Sequence, residues 1–218
     1  MTATLGRRLA AEALGTGFLL AIVIGSGIMG ERLSGGNPAI ALLANSIATG
    51  CGLSVLILIF APLSGAHFNP AVTLSLASLR IFPWNEVLPY VAVQIIAAFA
   101  GVAAAHLMFG EPSFFASTKI RTGLAQWWSE GVATFGLLMV IWACLRGRLA
   151  GAPYAIAAYV TAGYWFTAST CFANPAVTLA RAASNTFAGI RPEDAPGFIV
   201  AQLAGGAAAT LVMRWLSA

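Results

Sequence analysis

"HFNPAVTL" at 67–74 and "FANPAVTL" at 172–179 write the run Asn-Pro-Ala-Val-Thr-Leu twice in a chain of 218 residues. A third Asn-Pro-Ala stands at 37–39, inside "SGGNPAIAL". Asn is a favoured helix N-cap and Pro is preorganised for the first helical position, so each copy predicts a helix start. The length of the apolar stretch behind each copy separates them. After Asn69 and Asn174 it ends within about 11 residues, at Arg80 and Ser184, which is roughly 16 Å of helix at 1.5 Å per residue. That crosses half of a hydrocarbon core roughly 30 Å thick. Asn37 instead opens a full-length apolar stretch and reads as a plain cap.

The rest of the composition fits a bilayer. The chain is 59% hydrophobic and 8% charged, against roughly 45–50% and about 25% for soluble domains. Apolar runs near 8–29, 40–61, 87–108, 123–145, 152–170 and 195–216 are each long enough to span as helix, the requirement being about 20 residues. The expected fold is an all-α membrane protein with six transmembrane helices and two re-entrant half-helices. Arg7 and Arg8 before the first run imitate a secretory leader, but the run is too long for one and carries Glu12. The net charge of +4 comes from basic residues set singly at span ends, which suits lipid headgroups and not nucleic acid. Cys51, Cys144 and Cys171 are too few and too scattered for a disulfide framework or a zinc site and read as free thiols. No metal or cofactor is expected. No nucleophile-base pair stands out either, so the chain does not read as an enzyme.

The two halves repeat. "AEALGTGFLL" at 11–20 aligns with "SEGVATFGLL" at 129–138, pairing Glu12 with Glu130 and Thr16 with Thr134. "VAVQIIAAFAG" at 91–101 aligns with "FIVAQLAGGAA" at 198–208, pairing Gln94 with Gln202. One domain over 1–218 would thus hold two repeats, approximately 1–110 and 123–218. Three spans per repeat is an odd number, so the second copy enters the membrane upside down, the layout of many transport proteins. The half-helices then enter from opposite faces and their N-termini meet near the midplane. Non-helical backbone at that depth must be buried in protein or line an aqueous cavity. With both termini on one side, that side carries Arg7, Arg8, Arg80, Arg146, Arg148 and Arg214; the other carries Arg32, Lys119, Arg121, Arg181 and Arg191. Six against five favours cytoplasmic termini.

On "SGAHFNPAVTL" at 64–74, the second box and the paired Glu, Thr and Gln positions, the chain resembles the aquaporin and glycerol-facilitator family, the major intrinsic proteins. The resemblance extends over essentially the whole chain. It implies a right-handed six-helix bundle with re-entrant half-helices, a homotetramer with one pore per subunit, and passive flow of small uncharged solutes. In such a pore Asn69 and Asn174, within Asn69-Pro70-Ala71 and Asn174-Pro175-Ala176, present amide donors to a solute at the midplane. The half-helix N-termini behind them carry about half a positive charge each and repel cations. Glu12 and Glu130 are ionisable groups inside spans, which by default suggests a proton relay. Their symmetric placement points instead to carboxylates that accept hydrogen bonds from the re-entrant backbone, a role the resemblance also implies. His67 reads as a loop-fixing hydrogen-bonder, whereas His106 has no assignable role.

One departure from the family stands out. After the second Asn-Pro-Ala most of these channels carry Arg, and here the position is Val177. The other constriction positions, carried over by spacing from the motifs, are Thr49, Cys171 and Ala162, with Gly163 as the alternative register. A water-selective filter would have an aromatic, a His and an Arg, so this filter reads as wider and less polar. A unit charge about 5 Å from a passing cation is worth roughly 3 kcal/mol at an effective dielectric of 20, a barrier the Val gives up. Arg181, seven residues after Asn174, points within about 20° of the same direction and about 10 Å further out. It either returns positive charge to the outer vestibule or snorkels to headgroups.

The expected cargo is therefore neutral solutes bulkier than water. The Val replacement is similar to that of bacterial aquaporins associated with arsenic resistance, which implies arsenite and methylated arsenicals besides small polyols and water, in a bacterial inner membrane. The rival readings are an orthodox water channel and a non-conducting scaffold of the same fold.

Overall fold

All three Asn-Pro-Ala copies start helices in the same way in the computed structural model, which describes residues 3–147 and 150–217. The side-chain oxygens of Asn37, Asn69 and Asn174 accept from the backbone N–H groups of Ala39, Ala71 and Ala176 at 3.0, 2.9 and 3.0 Å. Each proline takes the first helical turn, where its missing N–H costs nothing. The helices they open have very different lengths. α1 (Leu5–Leu33) and α2 (Pro38–Ser64) are long, and α3 (Pro70–Ser78) is short. α4 (Val87–Phe109), α5 (Leu124–Gly147) and α6 (Ala152–Phe166) precede the short α7 (Pro175–Arg181) and the final α8 (Ala195–Ser217). One-turn 3-10 segments at Trp84–Glu86 and Pro192–Asp194 lead into α4 and α8.

Among the described residues, five helices are long and apolar enough to cross a bilayer by length and composition. α6 is the exception. Its 15 residues make about 22 Å of helix, shorter than the run expected over 152–170. It stops because Thr167 leaves helical geometry while its hydroxyl and N–H both bond back to Gly163 O, at 2.7 and 3.3 Å. The chain then turns inward toward Asn174. The half-helices are shorter than expected too, with 9 residues in α3 and 7 in α7.

α1 packs against α4 and α5 against α8 through glycine contacts of the same kind. A Cβ added to Gly101 would stand 2.2 Å from Gly17 O, and one added to Gly205 would stand 2.2 Å from Gly131 O. Only hydrogen at those positions lets the backbones touch, a device of membrane helices. The radial distribution of polarity is inverted relative to a soluble domain. Glu12, Gln94, Glu130, Thr134 and Gln202 are fully buried, while Leu14, Phe18, Ile96, Trp128 and Val200 are exposed. Arg8 bonds Glu86 and Arg214 bonds Ser78 O, so the start of α1 and the end of α8 reach one connecting segment on the same face. Arg148, counted with that face, lies outside the described residues.

Candidate functional site

The two re-entrant segments hold each other. Asn69 donates its amide to Ala173 O at 2.7 Å, and Asn174 donates its amide to Phe68 O at 2.8 Å. Each Nδ2 has a second hydrogen, and both asparagines line the central cavity. Asn37 caps its helix identically and has no such partnership among the described residues. The backbone before each box is held in the left-handed region at non-glycine residues: Ala66 and Phe68 at φ 51° and 50°, Cys171 and Ala173 at 53° and 47°. Such residues cost about 1–3 kcal/mol each and persist only where the surroundings over-determine them.

Buried carboxylates supply that determination. Glu12 accepts from His67 N at 2.9 Å, Phe68 N at 2.7 Å and Ser64 Oγ at 2.7 Å. Glu130 accepts from Phe172 N and Ala173 N, both at 2.9 Å. Gln94 Nε2 joins Glu12 to Thr73, and Gln202 Nε2 joins Glu130 to Thr178. Four backbone N–H groups that no helix could satisfy thereby find acceptors. His67 is buried, 3.1 Å from Thr73 Oγ1 through Nδ1 and packed edge-on to Phe82.

A cavity of about 400 Å³ runs past both boxes, lined by Arg8 and Phe82 at its end toward the termini and by Tyr164 and Arg181 at its other mouth. Pro70, Ala71, Pro175 and Ala176 are buried behind its waist. Thr49, Cys171 and Val177 all line it. Ala162 does not: it is exposed on α6, and the residues on either side of it that line the cavity are Val160 and Tyr164. Gly163 is the buried neighbour, so close to Cys171 that an added Cβ would stand 2.5 Å from Sγ.

Three arrangements, two at the wall and one behind it, go beyond the sequence-based expectation. Tyr164 lines the cavity with its hydroxyl 3.1 Å from Thr49 Oγ1, so the wall does contain an aromatic. Phe172, also on the wall, carries the Arg181 guanidinium 3.3 Å from its ring centroid. Arg181 is 2% exposed and its Nε donates to Ala188 O, so the side chain is held inside the protein. His106 is fully buried and bridges Ser113 O and Ser184 Oγ, each at 2.9 Å, tying the segment after α4 to the one after α7. The internal repeat could have located Phe172, which occupies the place of His67 in the other box. Nothing in the local sequence marks the others.

A family model described as Major intrinsic protein matches residues 1–169. "Aquaglyceroporin AqpS" of Rhizobium meliloti (strain 1021) is 55% identical over 212 residues, 97% of this chain and 91% of that protein. "Aquaporin NIP3-1" of Oryza sativa subsp. japonica is 34% identical over 72% of this chain, which spans 52% of that longer protein. In fold, the chain resembles the X-ray structure of the aquaglyceroporin from Plasmodium falciparum with a TM-score of 0.73, at 22% identity and covering 97% of this chain and 95% of that one.

Proposed function

The chain belongs to the major intrinsic protein family, and on that premise we propose how its pore selects. It is an integral membrane channel for water and small solutes, not an enzyme. The cargo we propose is neutral solutes bulkier than water: small polyols, undissociated arsenite and methylated arsenicals, passing in either direction with water. The observation that carries this reading is Val177, on the cavity wall beside Cys171 and within one turn of Asn174. An apolar, branched side chain there gives up a guanidinium's width and charge. Thr49 completes the constriction, and Gly163, buried behind Cys171, leaves room for the thiol.

In this reading Asn69 and Asn174 hand the solute across the midplane with their second amide hydrogens. Glu12, Glu130 and His67 hold the loops that aim them. Arg181 supplies positive charge at the outer vestibule. The two repeats, approximately 1–110 and 123–218, are related by inversion, the termini are cytoplasmic in a bacterial inner membrane, and the assembly is a homotetramer.

Water selectivity is the second reading, and Tyr164 and Arg181 on the same wall favour it. Stopped-flow measurements on reconstituted vesicles, comparing water, glycerol, urea, arsenite and monomethylated arsenite, separate the two. The expected profile has glycerol and both arsenicals well above protein-free vesicles. A profile confined to water would reject it.

A further inference from the structure

The two mouths of the cavity differ in charge compensation. Toward the termini the cavity-lining Arg8 is neutralised by Glu86 at 2.6 Å. At the far end Arg181, which lines the cavity, and Arg121 and Lys119 close behind it form no ion pair among the described residues. They lean on backbone carbonyls instead: Arg181 on Ala188 O, Arg121 on Gly189 O at 2.9 Å and Ser169 O at 3.2 Å, Lys119 on Phe187 O at 2.6 Å. Both guanidiniums pack on the Phe172 ring, with carbons 3.3 and 5.1 Å from its centroid. Asp194 bonds Arg191 and the backbone N–H of Arg121, and Glu130, whose charge acts on both guanidiniums, gives its hydrogen bonds to the re-entrant N–H groups and none to either arginine.

Carbonyls use only part of these donors. Both terminal nitrogens of Arg181 lack a protein acceptor among the described residues, as does one of Arg121, although the two side chains are 2% and 9% exposed residues. Arg181 lines the cavity, so its free fork is presented to whatever enters. Its counterpart after the first box is Leu76, which lines the other half of the cavity. The asymmetry is therefore a property of one mouth. A buried guanidinium with N–H donors unmet is costly, and its fork matches an oxyanion in bidentate geometry.

We propose that the mouth opposite the termini is a recognition site for small singly charged oxyanions, held by Arg181 and Arg121 on the Phe172 ring with Lys119 at the rim. The proposal rests on the pore reading of the cavity, in that the site sits over the entrance. The wall beneath it, at Val177 and Cys171, offers no charged donor to take the ion further. The anion is thus captured at the mouth and does not follow the neutral solutes through.

Saturation-transfer NMR on the full-length protein in detergent reads this binding without any flux, using methanesulfonate as the ionised probe and dimethyl sulfone as its uncharged counterpart. Transfer to methanesulfonate and not to the sulfone is expected. Arg181→Leu should weaken binding at least about tenfold, and Lys119→Gln about threefold, the scale of one rim charge. Arg181→Lys should fall between them because it keeps the charge and loses the fork. No transfer in the parent, or equal transfer to the sulfone, would overturn the site. Undiminished binding in both Lys119→Gln and Arg181→Lys would overturn it even if Arg181→Leu does not fold. A pore that passes only water leaves a positive binding result standing, and a negative one leaves the permeability profile standing.

Discussion

The hydroxyls of Thr49 and Tyr164 lie 3.1 Å apart, joining α2 to α6 at the cavity wall with both side chains buried. Thr49 spends on Tyr164 a polar group that its place in the constriction would offer to the solute. Tyr164→Phe should lower stability by about 1 kcal/mol, the usual net worth of such a bond, and turn the Thr49 hydroxyl toward the lumen. Thermal unfolding in detergent measures the first effect and glycerol flux the second. If neither changes, the contact does not hold α6 in place.

Val177→Arg tests the size limit. The new side chain would enter a wall that holds Cys171 and, one turn further, Arg181, with no carboxylate side chain on the cavity wall there. Water permeability must therefore be checked first as proof of an assembled pore. In such a mutant, glycerol and arsenical fluxes should fall at least tenfold, about 1.4 kcal/mol of added barrier. Unchanged fluxes in a mutant that still conducts water would mean that Val177 does not set the limit.

Mercurial block should map to the thiols on the wall. Cys171 and Cys144 both line the cavity, Cys144 in the half toward the termini, whereas Cys51 is exposed on α2. Cys171→Ser should lose most of the block at the constriction, with Cys144 accounting for any remainder, and Cys51→Ser should behave as the parent. Equal sensitivity of Cys171→Ser and parent in water-flux assays would take Cys171 out of the permeation path.

Glu130→Gln replaces an acceptor for Phe172 N, Ala173 N and Gln202 Nε2 with an amide that can accept at only one atom. Each buried donor left unpaired costs about 1–3 kcal/mol. The left-handed backbone at Cys171 and Ala173 should then relax and the pore close. Glu12→Gln should do the same through His67 and Phe68. A proton relay would predict something else, namely normal folding with altered pH dependence, and water flux plotted against pH distinguishes the two.

Lys119 gives the oxyanion site a pH dependence. Burial, then the positive charges of Arg121 and Arg181, lower its pKa to about 8, with Glu31 opposing. The ammonium is thus present below that pH and lost as pH rises through it. Methanesulfonate binding should weaken between about pH 7 and 9, and Lys119→Gln should be flat across the same window. A parent that binds equally well at both ends of it would remove Lys119 from the rim.

Features set by local physics are legible in the sequence alone. The presence and order of the spans come from hydropathy, though not the early stop of α6 at Thr167, and the three helix starts come from what Asn and Pro do to their own backbone. The pairing of Glu12 with Glu130 and of Gln94 with Gln202 is visible as repetition. Tertiary structure decided which side of each helix faces the pore. A helix apolar on every side, as α6 nearly is, carries no periodic signal of its rotation, so Ala162 and Gly163 could not be told apart and Tyr164 had nothing to mark it. The far mouth was hidden for a second reason. Arg121 lies in the irregular segment between α4 and α5, and it meets Arg181 only because Phe172, in a re-entrant loop fixed by Glu130, stands between them. Contacts between loops so distant in the chain leave no spacing to read, and only the packed fold brings those charges together.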